Sequence, residues 1–161
     1  MANTYTQLYI HVVFAVKSRE NLISTVWKEE LYQYIGGIIT NKKQKLLVAN
    51  GMPDHIHLLI GLKPDCMLSD LVRDIKSSTS KWINEKKWVL GRFEWQTGFG
   101  AFTVGQSQLQ TVVNYILKQE EHHKKKSFRQ EYIDFLEAYQ IEFRQEYIFE
   151  VYDVAPTELE D

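Results

Sequence analysis

Two histidines, His55 and His57, lie one residue apart in the apolar run PDHIHLLI, which spans residues 53–60. Successive side chains of a β-strand point to opposite faces, so both imidazoles would lie on one face of a strand. Two parallel imidazoles can bind a divalent metal ion, but a mononuclear site needs a third donor. The pair therefore indicates either a metal site that is completed from elsewhere in the chain or two ordinary strand histidines.

Tyr115 and Gln119 lie four residues apart in the stretch NYILKQEEHH. In a helix this spacing puts both side chains on one face. A glutamine carbonyl oxygen can be a third metal donor, and a phenol can attack a phosphodiester that a metal ion polarises. Mg²⁺ and Mn²⁺ tolerate such partly open shells, so we predict one of these two as the cofactor. The alternative is a packing tyrosine beside a solvated glutamine.

A small α+β domain must position these side chains. Strand and helix patterns alternate along the chain in the order βαββαβ, which predicts a ferredoxin-like antiparallel sheet. These four strands and two helices are predicted over residues 5–17, 24–43, 44–52, 54–62, 68–87 and 92–104. Two additional C-terminal helices are predicted at about 106–125 and 128–142, and the first of them carries Tyr115. The pair Asn50-Gly51 predicts the turn between the second and third strands, and glycines predict a bulge in the fourth strand.

Length and composition favour a single cytoplasmic domain. The chain has 161 residues, 44% of them hydrophobic. It lacks both a run of about 18 apolar residues and the features of a signal peptide, so we expect no membrane contact. Cys66 is the only cysteine, which excludes an internal disulfide and makes a reducing cytoplasm the expected location. Five acidic residues and no Lys or Arg lie in 150–161, so we predict one domain over 1–152 and a disordered acidic tail over 153–161.

Taken together, the PDHIHLLI and NYILKQEEHH stretches resemble two motifs of one family. They are similar to the histidine–hydrophobe–histidine (HUH) and Tyr-x-x-x-Gln motifs of the single-tyrosine HUH transposases of bacterial insertion sequences, the IS200-like family. Stretches at 11–23, 93–104 and 120–132 also resemble the family pattern, and the resemblance covers about residues 3–150. It implies a metal-dependent transesterase that cleaves and rejoins single-stranded DNA through a covalent 5′-phosphotyrosine, in order to excise and insert a mobile element.

The resemblance also implies a role for individual residues. His55, His57 and Gln119 would be metal ligands, and Tyr115 would be the nucleophile. The implied partners are single-stranded DNA with a small hairpin at the element's ends and a second copy of the chain, whose site the tyrosine helix can complete. The predicted strand order puts His11, on the polar face of the first strand, near the metal.

Several basic side chains are candidates for DNA phosphate contacts, although each could instead be a solvated charge. They are Arg73, Lys76, Lys81, Lys118, His122 and Lys124. Two alternative functions stay open. One is a host-domesticated HUH nickase that acts on chromosomal repeats. The other is a non-catalytic ferredoxin-like nucleic-acid-binding protein, which would need aromatic side chains on an exposed sheet face.

Overall fold

The computed structural model describes residues 3–142, so the predicted acidic tail over 153–161 lies outside the described residues. In chain order the elements are β1 (Leu8–Ala15), α1 (Lys28–Asn41), β2 (Lys45–Met52), β3 (His55–Leu62), α2 (Leu68–Lys86), β4 (Gly100–Val104), α3 (Leu109–Leu117), α4 (Gln119–His123) and α5 (Phe128–Ala138). No helix among residues 3–142 is both long and apolar enough to span a membrane.

The four strands form one antiparallel sheet in the order β2-β3-β1-β4. This order, with its βαββαβ connectivity, confirms the predicted α+β, ferredoxin-like fold class. Strand β1 pairs with β3 along its whole length, with His11 opposite Leu59 and Val13 opposite His57. Directly paired residues share a face, so the register puts His11 on the same face as His57 and His55.

The two faces of the sheet are covered by different helices. One face packs against α1 and α2 and forms the main core. Its strand residues are Val12, Phe14, Ile56, Leu58 and Ile60. On the other face, Leu59 packs against α3, and a smaller cluster that includes Val13, Ala15 and Phe102 packs against α5. The histidine face is therefore buried beneath the C-terminal helices.

The turn between β2 and β3 lies later than predicted. Asn50 and Gly51 pair with β3 as strand residues, and Pro53 and Asp54 make the turn. Gly51 is needed for a different reason: an added Cβ would lie 2.8 Å from the Cα of Ile56. A glycine is therefore required at this position because the two strands approach each other closely, and not because of the turn.

The fourth strand is shorter than predicted. Only Gly100–Val104 pairs continuously with β1, while the preceding segment joins the sheet through an isolated bridge between Val16 and Trp95. The register shift lies in β2, between Leu46 and Val48, and not in the fourth strand, where a bulge was predicted.

The predicted helix over 106–125 is interrupted at Lys118, where α3 ends before α4 begins. The side-chain amide of Asn50 donates to the carbonyl oxygens of Ile116 (2.9 Å) and Leu117 (3.2 Å). A side chain from β2 thus satisfies acceptors at the end of α3, which favours a break at this point. Tyr115 and Gln119 fall on opposite sides of the break.

Gly51→Ala tests the close approach of β2 and β3. We expect the free energy of unfolding to fall by about 1–3 kcal/mol, the usual cost of forcing a methyl group into filled space. The matched control is Gly37→Ala, because Gly37 is exposed within α1 and an added Cβ would meet nothing within 4 Å outside the local helix backbone. There alanine should raise stability by about 0.5–1 kcal/mol. Urea unfolding followed by tryptophan fluorescence measures both variants, and equal effects would contradict the packing argument.

Candidate active site

Five polar side chains from three elements converge on one point beneath the C-terminal helices. His55 and His57 come from β3, Gln119 and His123 from α4, and Glu131 from α5. His55, His57 and Gln119 are 0% exposed, and Glu131 is 2% exposed. The fold therefore collects these groups in a place that water hardly reaches.

The donor atoms of these five residues are spaced like the ligands of one ion. Oε1 of Gln119 lies 3.2 Å from Nε2 of His55 and 3.1 Å from Nε2 of His123. Oε1 of Glu131 lies 3.1 Å from Nε2 of His57, 3.3 Å from that of His123 and 3.6 Å from that of His55. Ligands about 2.1 Å from one ion, at angles of about 90–110°, lie about 3.0–3.4 Å apart. The set fits a divalent ion.

For two of the histidines, a hydrogen-bond partner outside the cluster determines which ring nitrogen carries the proton. Nδ1 of His123 lies 2.8 Å from the carbonyl oxygen of Lys126, and Nδ1 of His55 lies 2.7 Å from Oδ1 of Asp54. Burial is the largest single effect and would raise the pKa of Asp54, but the hydrogen bond with His55 and the charges of His55, Arg19 and His123 together outweigh burial and lower that pKa. Both partners are therefore acceptors, so both histidines donate through Nδ1 and turn Nε2 inward.

The two inward Nε2 atoms lie against an acceptor oxygen. Nε2 of His55 and Nε2 of His123 both contact the carbonyl oxygen of Gln119, and when both rings are neutral and protonated at Nδ1 none of these three atoms carries a proton. Burial, followed by the effect of His55, lowers the pKa of His123 to about 4, so its imidazole is neutral at pH 7. Converging acceptors repel each other unless a cation lies between them. The chemistry of the donor set fits a metal ion as well as its spacing does.

His11 lies against the outer side of His57. Its Nε2 is 2.8 Å from Nδ1 of His57, and the two rings are stacked with centroids 5.0 Å apart. Burial, with a smaller effect of His57, lowers the pKa of His11 to about 2, and burial also lowers the pKa of His57 well below its ordinary value. A neutral His11 can accept the Nδ1 proton of His57, which would direct Nε2 of His57 inward like those of the other two histidines.

Tyr115 reaches the same cluster from α3. Its hydroxyl donates to Oε2 of Glu131 and lies 3.2 Å from Nε2 of His122. Because Oε1 of the same carboxyl group faces the three histidines, one carboxyl group separates the phenol from the candidate ion site. An open cleft of about 320 Å³ borders Tyr115 and is lined in part by Lys118 and His122. The structure thus brings Tyr115 and Gln119 to the histidine pair within a single chain.

The sequence reasoning missed Glu131 and His123 as site residues. Glu131 lies on the buried stripe of α5 with Phe128 and Leu136, and a carboxyl group among apolar positions was the available signal. Burial raises the pKa of Glu131 to about 8, although His55 opposes this shift. His123 was not predicted as a site residue because it lies in the charged run EEHHKKK, a pattern that is typical of a solvated helix end.

The six predicted DNA contacts divide between the two faces of the sheet. Arg73, Lys76 and Lys81 belong to α2, whereas Lys118, His122 and Lys124 lie in or beside α4. Within the first group, Lys76 donates to the carbonyl oxygens of Gln96 and Gly98, and Arg73 forms ion pairs with acidic residues of its own helix. The second group lies on the same face as Tyr115. All six contacts stay predictions.

Comparisons with known sequences point to one family. The family profile described as "Transposase IS200 like" matches residues 4–119. A curated relative, the ISDra2 transposase TnpA of Deinococcus radiodurans, is 24% identical over 120 residues, which cover 70% of this chain and 84% of the relative. Glu131 and His123 lie beyond the residues that the family profile matches.

Two solved structures share the fold. The first, a Deinococcus radiodurans protein described as a candidate transposase, has a TM-score of 0.58 and 22% identity over 73% of this chain and 94% of that chain. The second is a REP-associated tyrosine transposase bound to a REP hairpin, with a TM-score of 0.59 and 16% identity over 95% of this chain and 93% of that chain. At these identities the likeness concerns the fold.

His55→Ala removes one of the converging donors. We expect the affinity for Mn²⁺, measured by calorimetry, to fall by more than about tenfold, or about 1.4 kcal/mol. Gln119→Ala should have a smaller effect, because a water molecule can replace an amide oxygen. His122→Ala is the control for loss of a neighbouring imidazole, since Nε2 of His122 contacts Tyr115 and Oε2 of Glu131 (3.3 Å) but His122 is outside the five-residue donor set. An unchanged affinity in His55→Ala would remove the metal assignment.

Proposed function

The chain belongs to the IS200-like transposase family, and we propose that it is a metal-dependent single-stranded DNA transesterase. Membership of this family implies an enzyme of DNA transposition. One observation carries the proposal. The hydroxyl of Tyr115 contacts the same carboxyl group that faces the buried histidines. The phenol of Tyr115 is therefore separated from the candidate metal site by one carboxyl group, and attack on a phosphate bound between them requires such an arrangement.

We infer that His55, His57 and Gln119 hold the ion, and that His123 and, in the absence of DNA, Glu131 complete the donor set. A divalent ion bound there would polarise the scissile phosphate and stabilise the departing 3′ oxygen. Mg²⁺ and Mn²⁺ are the candidates. Three imidazoles, one more than the sequence predicted, favour Mn²⁺ by affinity, while abundance in cells favours Mg²⁺.

In the proposed reaction, the phenolic oxygen of Tyr115 attacks the phosphorus of a DNA phosphodiester. A bond forms between that oxygen and phosphorus, and the bond from phosphorus to the 3′ oxygen breaks. An ordinary phenol has a pKa of about 10, so Tyr115 must lose its proton during the attack, and the departing 3′ oxygen gains one. The 5′-phosphate stays on Tyr115 as an ester. Because the ester conserves the bond energy, attack by a 3′-hydroxyl rejoins the strand without ATP.

We propose single-stranded DNA that carries a hairpin as the substrate. The structure bound to a REP hairpin supports this class of ligand, since its fold similarity extends over 95% of this chain. It also keeps a second candidate function open, that of a host-domesticated nickase acting on chromosomal repeats. For either function, Lys118, His122 and Lys124 would contact phosphates beside Tyr115.

A non-catalytic nucleic-acid-binding role is less well supported. A ferredoxin-like binder would use one exposed sheet face as a platform for stacking bases. In residues 3–142, helices α1 and α2 cover one face of the sheet, and α3 and α5 pack on the other. The buried histidine cluster also has no part in a stacking platform.

The homodimer stays a prediction, because the site is assembled within one chain and needs no residue from a partner. Leu117, 57% exposed next to Tyr115, offers an apolar contact for a second copy. Sedimentation velocity at micromolar concentration should give twice the 19.0 kDa mass of the chain. A particle of the single-chain mass would contradict the dimer and leave the catalytic proposal intact.

Tyr115→Phe removes one oxygen and keeps the ring. We expect it to abolish cleavage and covalent attachment, while the affinities for Mn²⁺ and single-stranded DNA change by less than about threefold. The assay incubates the protein with Mn²⁺ and single-stranded DNA from the flanks of its own gene, and a gel reports the covalent band. Tyr34→Phe is the control, because Tyr34 stacks on Trp82 on the other side of the sheet. An adduct that persists in Tyr115→Phe would mean that another residue is the nucleophile.

A further inference from the structure

The carboxyl group of Glu131 lies where a scissile phosphate would have to lie. For Tyr115 to attack, the phosphate must sit between the phenolic oxygen and the ion, with one of its oxygens directed toward the ion. Here Oε1 of Glu131 lies 3.1–3.6 Å from Nε2 of His55, His57 and His123. Its Oε2 accepts the hydrogen bond from Tyr115. One carboxyl group thus contacts both halves of the site, as a bound phosphate would.

We propose that Glu131 is a resident stand-in for the scissile phosphate, which occupies the site without DNA and is displaced when a DNA phosphate binds. This inference rests on the proposed function, since it assumes that Tyr115 attacks a phosphate at this place. A carboxylate and a phosphodiester both present anionic oxygens to the same donors. Two groups cannot occupy one buried position, so entry of the phosphate requires Glu131 to leave.

The burial of the site supports displacement. His55 and His57 are 0% exposed, so a DNA strand cannot reach them in this arrangement. The covering element is α5, which stacks Phe128 on the ring of His55 with centroids 3.6 Å apart and inserts Glu131 beside it. A phosphate can approach the histidines only if this part of α5 moves away from the sheet.

The contacts beneath α5 are compatible with such a movement. In its packing against the sheet, three buried residues of α5 (Phe128, Ile133 and Leu136) meet Val13, Ala15 and Phe102, and this cluster is smaller than the core beneath α1 and α2. Elements with few buried apolar contacts open at the lowest free-energy cost. A lysine run, 124–126, connects α4 to α5, and a basic connection next to the site suits the approach of a phosphate backbone.

If Glu131 were instead a permanent ligand, removal of its carboxylate would have the opposite effect on phosphate binding from that expected for displacement. If the carboxylate supports phosphate binding throughout the reaction, its removal should weaken the binding of phosphate. If it competes with phosphate, its removal should strengthen that binding, because a larger fraction of the protein is then competent to bind.

Inorganic phosphate is the probe that separates these cases. The protein is saturated with Mn²⁺, and broadening of the ³¹P resonance reports phosphate that reaches the ion. We expect Glu131→Ala to bind phosphate about tenfold or more tightly than the unmodified protein. Glu131→Gln keeps the size of the side chain and removes the charge, so its affinity for phosphate should lie between those of the alanine variant and the unmodified protein. This variant provides the test if Glu131→Ala does not fold. Glu137→Gln is the matched control, because Glu137 is exposed on the same helix.

Calorimetry with Mn²⁺ on the same samples separates failure of this inference from failure of the proposed function. If the unmodified protein binds Mn²⁺ while removal of the Glu131 charge leaves phosphate binding equal or weaker, the stand-in role is wrong and the proposed function stands. If neither the unmodified protein nor the Glu137→Gln control binds Mn²⁺, the metal-dependent proposal fails, and this inference fails with it.

Discussion

His55 and His123 each donate the Nδ1 proton outward, which leaves Nε2 of both rings facing the carbonyl oxygen of Gln119. Acceptors held together in a buried place raise the energy of the fold unless a cation or a proton joins them. The cluster therefore depends on a bound cation or a shared proton for its stability. The remaining structure must hold it together against this repulsion, as is common where a fold is organised around a function.

The sheet and the C-terminal helices share this task. The register between β1 and β3 places His11 behind His57, so that the ring of His57 is held from its outer side. Asn50, from the neighbouring strand, ties the end of α3 to the sheet. This contact places Tyr115 and Gln119 on separate helices, so that the phenol can meet Glu131 while the amide oxygen meets the histidines. The geometry of the site therefore depends on side chains that do no chemistry themselves.

Most of the fold can be predicted from the sequence, because a strand or helix that buries one face has apolar residues at a regular spacing along the chain. Alternation in residues 54–62 predicted β3 and put His55 and His57 on one face, and the structure has both features. The errors occur where distant parts of the chain decide the local conformation. Asn50-Gly51 is a strong local turn signal, yet the pairing of β2 with β3 continues past it. Glu131 is part of the site only because α5 folds over the sheet, which no spacing along the chain reveals.

The central claim is that the five converging side chains form the site of a divalent ion next to Tyr115. Anomalous diffraction from a crystal of the protein grown with Mn²⁺ tests it most directly, because the anomalous signal locates the ion. We expect one dominant peak about 2.0–2.3 Å from Nε2 of both His55 and His57, on the side that faces Gln119. A saturated crystal in which this position shows no peak, with Mn²⁺ bound elsewhere, would contradict the account.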